Sequence, residues 1–241
     1  MKNINTSIPK NKLVILGASS QQLPLIKKAN EMGIKTFVMD MNSESVGKNY
    51  ADNFYMIDIS NKEKVLNKCK KIDPDGVLTI ASEIGNITAN YVANELNLVS
   101  NSAKTITYTT NKHEMKNMLK SNNIGTSKFG LYNQKIDLDF PFMVKASDRS
   151  GSRGVQLVRN KSEYEKAVKE AKEVSFNKKV IIEEYVEGRQ YSFEMLSQKG
   201  EHYLIGITEE FYSGEPYFVE TQHVMPGRIR KSLKNKALEE A

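Results

Sequence analysis

The chain has 241 residues, of which 27% are charged and 39% hydrophobic, and its formal net charge is +6. No apolar run approaches the ~20 residues that span a bilayer, and the polar start lacks a signal-peptide core. We therefore expect a soluble, cytoplasmic protein with no membrane partner. The single cysteine, Cys69, excludes an intramolecular disulfide and a CxxC metal site. Its helical spacing from Val65, Leu66 and Ile72 predicts a buried apolar position.

The charge distribution bears on nucleic-acid binding. The chain carries 35 Lys and Arg against 29 Asp and Glu. Basic and acidic residues alternate along predicted helices such as NKEKVLNKCKKID and KSEYEKAVKEAKE, which is typical of solvated, salt-bridged faces. We expect no nucleic-acid partner. A nucleic-acid-binding module remains one hypothesis, and salt-sensitive binding to a generic oligonucleotide would test it.

After a polar arm of about ten residues, strands and helices alternate in the way that yields a parallel sheet. The predicted strands are KLVILG, KTFVMD, the weaker NFYMID and VLTI, which begin at residues 12, 35, 53 and 77. Helices are predicted at residues 21–33, through Cys69, and at 83–98, the last with Ile84, Ile87, Tyr91 and Leu96 near one face. Residues 12 to about 105 therefore read as a small doubly wound α/β domain.

A second, α+β part with mostly antiparallel strands is predicted from residue 106. Asn111 followed by Glu114 predicts a capped helix that stops by Gly125. A further helix starts at a capping box, Ser162 with Glu165. Its apolar stripe consists of Tyr164, Ala167, Val168 and Ala171. Strands are then predicted within residues 179–186, 189–196, 202–211 and 216–224.

The last segment, RIRKSLKNKALEEA, is a helix pattern with an apolar stripe of Leu233, Ala237 and Leu238. No later element of the sequence would cover this stripe. We therefore expect an interrupted domain and an amino-terminal portion of a longer protein.

The stretch FPFMVKASDRSGSRGVQLV, residues 140–158, joins two β runs through a glycine-punctuated loop. A backbone that approaches phosphates closely needs small residues, and its N–H groups then form an anion-binding concavity. Small and basic residues suited to this task are Gly151, Ser152, Gly154, Lys145, Arg149 and Arg153. The Walker A pattern is absent because the glycines lead into a strand. We predict a mobile phosphate lid, with an ordinary flexible hairpin as the alternative.

The stretch VIIEEYVEGRQYSFE contains residues suited to reading a nucleoside. A carboxylate or carbonyl at Glu183 or Glu184 could accept from the exocyclic amine of adenine, and the N–H of Val186 could donate to a ring nitrogen. Gln190 could bond the ribose hydroxyls. The alternative is a strand with an acidic, solvated end.

Taken in order, the segments NKHEMKNMLKSNNIGTSKF, PFMVKASDRSGSRGV, VIIEEYVEGRQYSFE and YFVETQHVMP resemble the ATP-grasp superfamily of carboxylate-amine ligases. The likeness is to its carbamoyl-phosphate-synthase-like, biotin-carboxylase-like and purine-biosynthesis branches, from about residue 12 onward. It implies ATP and Mg²⁺ (or Mn²⁺) as cofactors. It also implies a small-molecule carboxylate, converted to an acyl phosphate, and an amine or ammonia that displaces the phosphate. Homodimer formation is left open.

The resemblance also implies a domain plan. Residues 12–105 would form a pre-ATP-grasp domain of Rossmann-like type, and residues 106–190 a small lobe with the phosphate lid. Residues 191–241 would begin a large lobe that is incomplete at its carboxyl end.

Site residues follow from the same resemblance. The two lysines that contact phosphates in the family are matched by Lys112 and Lys145, and the lid by Gly151, Ser152, Arg153 and Gly154. The hinge that reads adenine is matched by Glu183, Glu184, Tyr185 and Val186. A histidine near the phosphates is matched by His223. The ribose position, usually Glu, is Gln190, and Ser19 and Ser20 stand where relatives often have glycine. No catalytic residue is assigned. The metal ligands, an acidic residue and a Glu-x-Asn pair, are expected beyond Ala241, so we expect feeble ATP affinity and no turnover from this chain alone.

One alternative is a non-catalytic nucleotide-binding α/β protein or a nicotinamide-dependent oxidoreductase. This alternative needs a glycine fingerprint after the first strand. The stretch LGASSQQL contains Gly17 but lacks the two later glycines, although Asp40 does end the second strand.

Overall fold

The computed structural model describes residues 11–240, and the chain divides into two compact units between Thr107 and Tyr108. The predicted polar arm, residues 1–10, lies outside the described residues. The strands of the first unit are β1 Lys12–Leu16, β2 Lys35–Asp40, β3 Asn53–Met56 and β4 Gly76–Leu78. Its helices are α1 Leu23–Glu31, a short 3-10 helix Val46–Tyr50, α2 Lys62–Ile72 and α3 Glu83–Glu95. Helix α4, Ala103–Thr110, spans the division.

The first unit is a parallel sheet with the strand order β3-β2-β1-β4, and it is covered on both faces. Because side chains alternate along a strand, Val14 and Leu16 pack with residues of α2 and α3, while Ile15 packs with residues of α1. The predicted doubly wound α/β architecture is confirmed. Cys69 is fully buried on α2, as predicted, and burial raises the pKa of its thiol to about 12.

Two details of the first unit differ from the prediction. The buried face of α3 consists mainly of small residues, Gly85, Thr88, Ala89, Val92 and Ala93, and the predicted Ile84 and Ile87 are only partly buried. Small side chains let a helix approach its neighbours closely, so size rather than hydropathy selects this face. The predicted strand 77–80 ends at Leu78 because Thr79 turns its hydroxyl to the Leu16 carbonyl.

The second unit contains two antiparallel sheets. The helices are α5 Lys112–Ser121, α6 Lys161–Val174 and α7 Lys231–Glu240. The strands are β5 Phe129–Leu131, β6 Phe142–Ala146, β7 Val155–Val158, β8 Val180–Glu184, β9 Gln190–Gln198, β10 Glu201–Tyr212 and β11 Glu220–Val224. The strand orders are β5-β8-β6-β7 and β11-β10-β9, which confirms the predicted α+β, mostly antiparallel second half. No helix among residues 11–240 is long and apolar enough to cross a membrane.

Helix α6 packs on one face of the four-stranded sheet. Ala167, Val168 and Ala171 of the predicted stripe are buried there, with Tyr164 beside them. The sheet residues on this face are Phe142, Val144, Ala146, Val158, Val180 and Ile182. Alternation therefore directs Lys145 and Glu183 to the opposite face, away from α6.

Several boundaries required correction. The N-cap of α6 is Asn160, whose side chain accepts from the Glu163 N–H, rather than Ser162. Glu163 in turn accepts from the Arg159 N–H at 2.8 Å, so the reciprocal bonds form two residues earlier than predicted. The predicted cap of α5 at Asn111 is confirmed by bonds from the His113 and Glu114 amides.

The sequence patterns also missed or misplaced some elements. Helix α5 ends at Ser121 rather than near Gly125. Strand β5 was not predicted, and β11 begins at Glu220 rather than at Pro216. Helix α7 is present as predicted, and Leu233 of its apolar stripe is exposed.

Candidate nucleotide-binding site

An ion pair between Lys145 and Glu183 lies at the centre of the candidate site. In the antiparallel pairing of β6 with β8, Met143 is opposite Glu183 and Lys145 is opposite Ile181. Lys145 and Glu183 are thus diagonal neighbours on one face of the sheet. Their Nζ and Oε2 atoms are 2.8 Å apart. The Glu183 side chain is 6% exposed and that of Lys145 is 25% exposed, so Lys145 is the more accessible member of the pair.

A second lysine, Lys116 of α5, reaches the same carboxylate oxygen. Its Nζ lies 3.6 Å from Glu183 Oε2 and donates to Thr126 Oγ1 at 3.0 Å and Ser127 Oγ at 2.9 Å. Burial lowers the pKa of Lys116, and the Glu183 carboxylate acts in the opposite direction. We refer to Lys116, Lys145 and Glu183 as the two-lysine cluster.

Sequence reasoning missed Lys116. The available signal was its spacing, since Lys112 and Lys116 are four residues apart and therefore share one face of α5. The contact with Glu183 depends on tertiary packing and could not be read from either segment alone.

The start of the lid loop, residues 147–154, is tied to two neighbouring segments. The Lys112 amide donates to the Ser147 carbonyl at 2.8 Å, and the Lys112 ammonium donates to the Arg149 carbonyl. The Asp148 carboxylate accepts hydrogen bonds from the Ser175 hydroxyl at 2.8 Å and from the backbone N–H of Asn177 at 2.8 Å. These bonds place the predicted Lys112 at the base of the loop.

The remainder of the lid loop contains left-handed residues of the kind that anion-binding turns use. Gly151, Ser152 and Gly154 have φ values of 62°, 54° and 71°. Left-handed residues within such a turn direct backbone N–H groups into a shared concavity. Gly154 also has no room for a side chain, since a Cβ would lie 2.7 Å from Val174 Cγ2 and 3.2 Å from the Ala171 Cα. The predicted Arg153 is exposed. The phosphate-binding role of the loop remains a prediction.

The predicted hinge, residues 183–186, separates its two carboxylates. Glu183 belongs to the two-lysine cluster, whereas Glu184 is exposed and accepts from the Lys128 N–H at 3.1 Å. Val186 is exposed. The adenine contacts assigned to these residues remain predictions.

The segment that we call the bridging loop, residues 213–219, contacts both lid and hinge. Ser152 Oγ donates to the Phe218 carbonyl at 2.9 Å, and the Phe218 ring lies 5.9 Å from the Tyr185 ring. The Leu157 amide donates to the Pro216 carbonyl at 2.9 Å. Lid and hinge are therefore close together, as a nucleotide-binding role requires.

The remaining predicted residues, Gln190 and His223, lie on the three-stranded sheet. Both are opposite Glu210 of β10, Gln190 from β9 and His223 from β11. Burial alone would raise the pKa of Glu210, but hydrogen bonds from the Ser192 and Tyr212 hydroxyls outweigh it and lower that pKa. Gln190 lines a cavity of about 380 Å³ with Glu209, Glu210, Arg189 and Arg228. Sequence reasoning missed Glu210.

A larger cavity, of about 590 Å³, lies between the end of α5 and β5. Its lining includes Lys120, Lys128 and Phe129, and none of the predicted site residues. The candidate site is therefore the two-lysine cluster, which contains the predicted Lys145 and Glu183, rather than this cavity.

Among residues 11–240, no group of three or more His, Cys, Asp or Glu side chains is arranged to hold a metal ion. A bound Mg²⁺ needs several oxygen ligands in near-octahedral geometry. The described residues therefore do not fit the implied metal.

Comparison with known proteins identifies the domain. Residues 138–240 match the ATP-grasp domain family. The chain therefore carries an ATP-grasp domain, and the resemblance noted in the sequence is confirmed. Over 206 residues, 78% of the chain, it is 30% identical to the carbamoyl phosphate synthase large chain of Caldanaerobacter subterraneus subsp. tengcongensis. Over 223 residues, 86% of the chain, it is 28% identical to the formate-dependent phosphoribosylglycinamide formyltransferase of Prochlorococcus marinus subsp. pastoris.

A solved structure supports the fold. The biotin carboxylase domain of Hydrogenobacter thermophilus 2-oxoglutarate carboxylase aligns with 95% of the chain at a TM-score of 0.81 and 18% identity. The chain spans 19% of the synthase, 56% of the formyltransferase and 56% of the carboxylase chain.

Proposed function

We propose that this chain acts in an ATP-dependent ligase of the ATP-grasp type. The reaction would activate a small carboxylate as its acyl phosphate, and an amine or ammonia would then displace the phosphate. The observation that supports the proposal is the Lys145–Glu183 ion pair on the strand that leads into the glycine loop, within the segment that matches the ATP-grasp domain. In the proposed role, the Lys145 cation and the backbone N–H groups of the loop would serve phosphoryl transfer.

Named residues would share the work of holding ATP. Lys112, Lys145 and the N–H groups of residues 151–154 would meet the phosphates. Residues 183–186 would meet adenine, and Gln190 the ribose. When bound, ATP would supply the phosphoryl group. Positive groups that are already positioned around the phosphates stabilise the negative charge that develops on the transferring phosphoryl group.

The printed names of relatives support the substrate class. The formyltransferase is described as formate-dependent, and formate is a small carboxylate. The carboxylase domain was solved with MgADP, ADP and bicarbonate. We infer a small carboxylate-type acid as the substrate of this chain. His223, near Glu220 and exposed on β11, would lie toward the acceptor.

Binding measurements on the full 241-residue chain test the proposal. Calorimetric titrations with ATP, ADP, adenosine and NAD⁺, extended to millimolar ligand, should show binding of ATP and ADP. Lys145→Met should weaken ADP binding at least about tenfold, since hydrogen bonds to charged groups contribute about 1.5–3 kcal/mol. Lys169→Met is a matched control, because Lys169 is exposed on α6. Binding of NAD⁺ without ATP or ADP would contradict the proposal.

The expectation of no turnover by this chain alone stays a prediction, which a phosphate-release assay tests.

The oxidoreductase alternative has no specific support in the structure. The Asp40 carboxylate accepts from the Ala18 amide at 2.7 Å and the Asn42 amide at 2.8 Å. Its oxygens therefore already hold the backbone that surrounds the end of β2. We propose no second function.

A further inference from the structure

We propose that Lys116 is a positioning residue that acts through Glu183 to keep the Lys145 ammonium available at the base of the lid loop. This inference rests on the proposed function, because it assigns Lys145 to a phosphate. Lys116 itself would not touch the nucleotide.

The geometry separates the roles of the two lysines. Both approach Glu183 Oε2, Lys145 at 2.8 Å and Lys116 at 3.6 Å. The Lys116 side chain is 13% exposed, and hydroxyls of Thr126 and Ser127 hold its ammonium on the α5 side. Lys145 has greater exposure and is the lysine that can turn toward a ligand.

The charges explain why the second lysine matters. A buried carboxylate with one lysine partner forms a nearly neutral pair, which has little attraction for a phosphate. With Lys116 also beside it, Glu183 is shared, and the two-lysine cluster carries a formal charge of +1. Without the Lys116 charge, Glu183 would have Lys145 as its single lysine partner. The carboxylate would then hold the Lys145 ammonium and keep it from a phosphate.

A merely structural role for Lys116 has a different signature. In that case its bonds to Thr126 and Ser127 would only anchor the segment between α5 and β5. Lys116→Gln tests this, because the amide can still donate to both hydroxyls while the charge is lost. Lys116→Arg keeps the charge and so should retain most of the binding.

The experiment is a set of calorimetric titrations with ADP and with adenosine, which lacks phosphates. The full-length variants are Lys116→Gln, Lys116→Met, Lys116→Arg, Lys145→Met and the double variant Lys116→Gln/Lys145→Met, with Lys169→Met as the control. We expect Lys116→Gln to weaken ADP binding by about threefold to tenfold, toward the lower end of couplings between neighbouring groups. Adenosine affinity should stay unchanged. The double variant should bind ADP no more weakly than Lys145→Met.

Each other outcome overturns the inference in a recognisable way. Equal losses for ADP and adenosine, or additive losses in the double variant, would assign Lys116 a structural role. Normal ADP binding by Lys116→Gln, with weak binding by Lys145→Met, would overturn the positioning role and leave the proposed function standing. If the wild-type chain binds neither ATP nor ADP, the proposed function fails and this inference falls with it. Circular dichroism would confirm folding, and Lys116→Gln keeps the test decisive should Lys116→Met not fold.

Discussion

The two antiparallel sheets of the second unit hold the glutamates Glu183 and Glu210 in different surroundings. In the four-stranded sheet, α6 covers one face, and the Glu183 side chain on the other face is 6% exposed. In the three-stranded sheet, Leu196 and Ile205 are 61% and 68% exposed, and neighbouring hydroxyls hold the Glu210 carboxylate. Packing positions Glu183 of the first sheet, whereas hydrogen bonds from neighbouring hydroxyls position Glu210 of the second.

This difference indicates how the candidate site is divided. Glu183 and Lys116 lie where water is largely excluded, so each of these charges needs a partner and has a defined place, while Lys145 is more exposed. Gln190 and His223 are exposed on the three-stranded sheet, where solvent screens their interactions with charged groups and their side chains can change conformation at little cost. We therefore expect phosphate contacts to depend on the fixed sheet.

The largest expected contrast concerns an isoleucine in each sheet. Ile181→Ala in β8 removes a fully buried side chain and should lower the free energy of unfolding by about 2–5 kcal/mol. Ile205→Ala in β10 changes an exposed side chain and should stay within about 0.5 kcal/mol of wild type. Urea denaturation of both variants provides the measurement. Similar losses at the two positions would contradict the comparison.

A second contrast lies within the lid loop. Gly154→Ala should cost about 2–4 kcal/mol, because a left-handed alanine is strained and its Cβ would meet Val174 and Ala171. Gly151→Ala shares the backbone conformation but has no atom within 4 Å of the added Cβ. It should cost only about 1 kcal/mol. Equal effects in thermal and urea unfolding would show that the loop is not packed as described.

A smaller effect is expected where the lid loop meets the bridging loop. Ser152→Ala removes the bond to the Phe218 carbonyl and should cost about 0.5–1.5 kcal/mol. Amide hydrogen exchange in residues 151–155 should become faster, because this bond joins the loop to its neighbour. Mass spectrometry of the exchanged protein would detect the change, with Ser162→Ala in the exposed first turn of α6 as the control. Unchanged exchange in Ser152→Ala would argue against this attachment.

Sequence reasoning succeeded where one local pattern decided the structure. Strand β2 has the predicted bounds, residues 35–40, because a buried β-branched and aromatic run ends at a turn. The α6 stripe is likewise confirmed, since helical periodicity selects the face that packs on the sheet.

The failures share a dependence on tertiary contacts. Strand β5 is three residues long and contains a glycine, so its structure follows from pairing with β8 rather than from propensity. The face of α3 followed side-chain size, which a hydropathy pattern does not report. Lys116 reaches Glu183 only after α5 packs near β5. Local patterns therefore drew attention to the loop at residues 147–154 and to Lys145, but not to Lys116, the second partner of the Glu183 carboxylate.

The smallest expected effect is the pH dependence that Glu210 gives to stability. Its folded pKa is lowered, so ionised Glu210 stabilises the folded chain above the ordinary pKa of 4.5. This contribution should be lost as the pH falls through the lowered folded pKa. Unfolding free energies of wild type and Glu210→Gln should therefore converge below about pH 4.5. Ser192→Ala should reduce the difference above that pH, because the Ser192 hydroxyl bonds the carboxylate. If the difference in unfolding free energy between wild type and Glu210→Gln does not change with pH, the Ser192 and Tyr212 hydroxyls do not lower the pKa of Glu210.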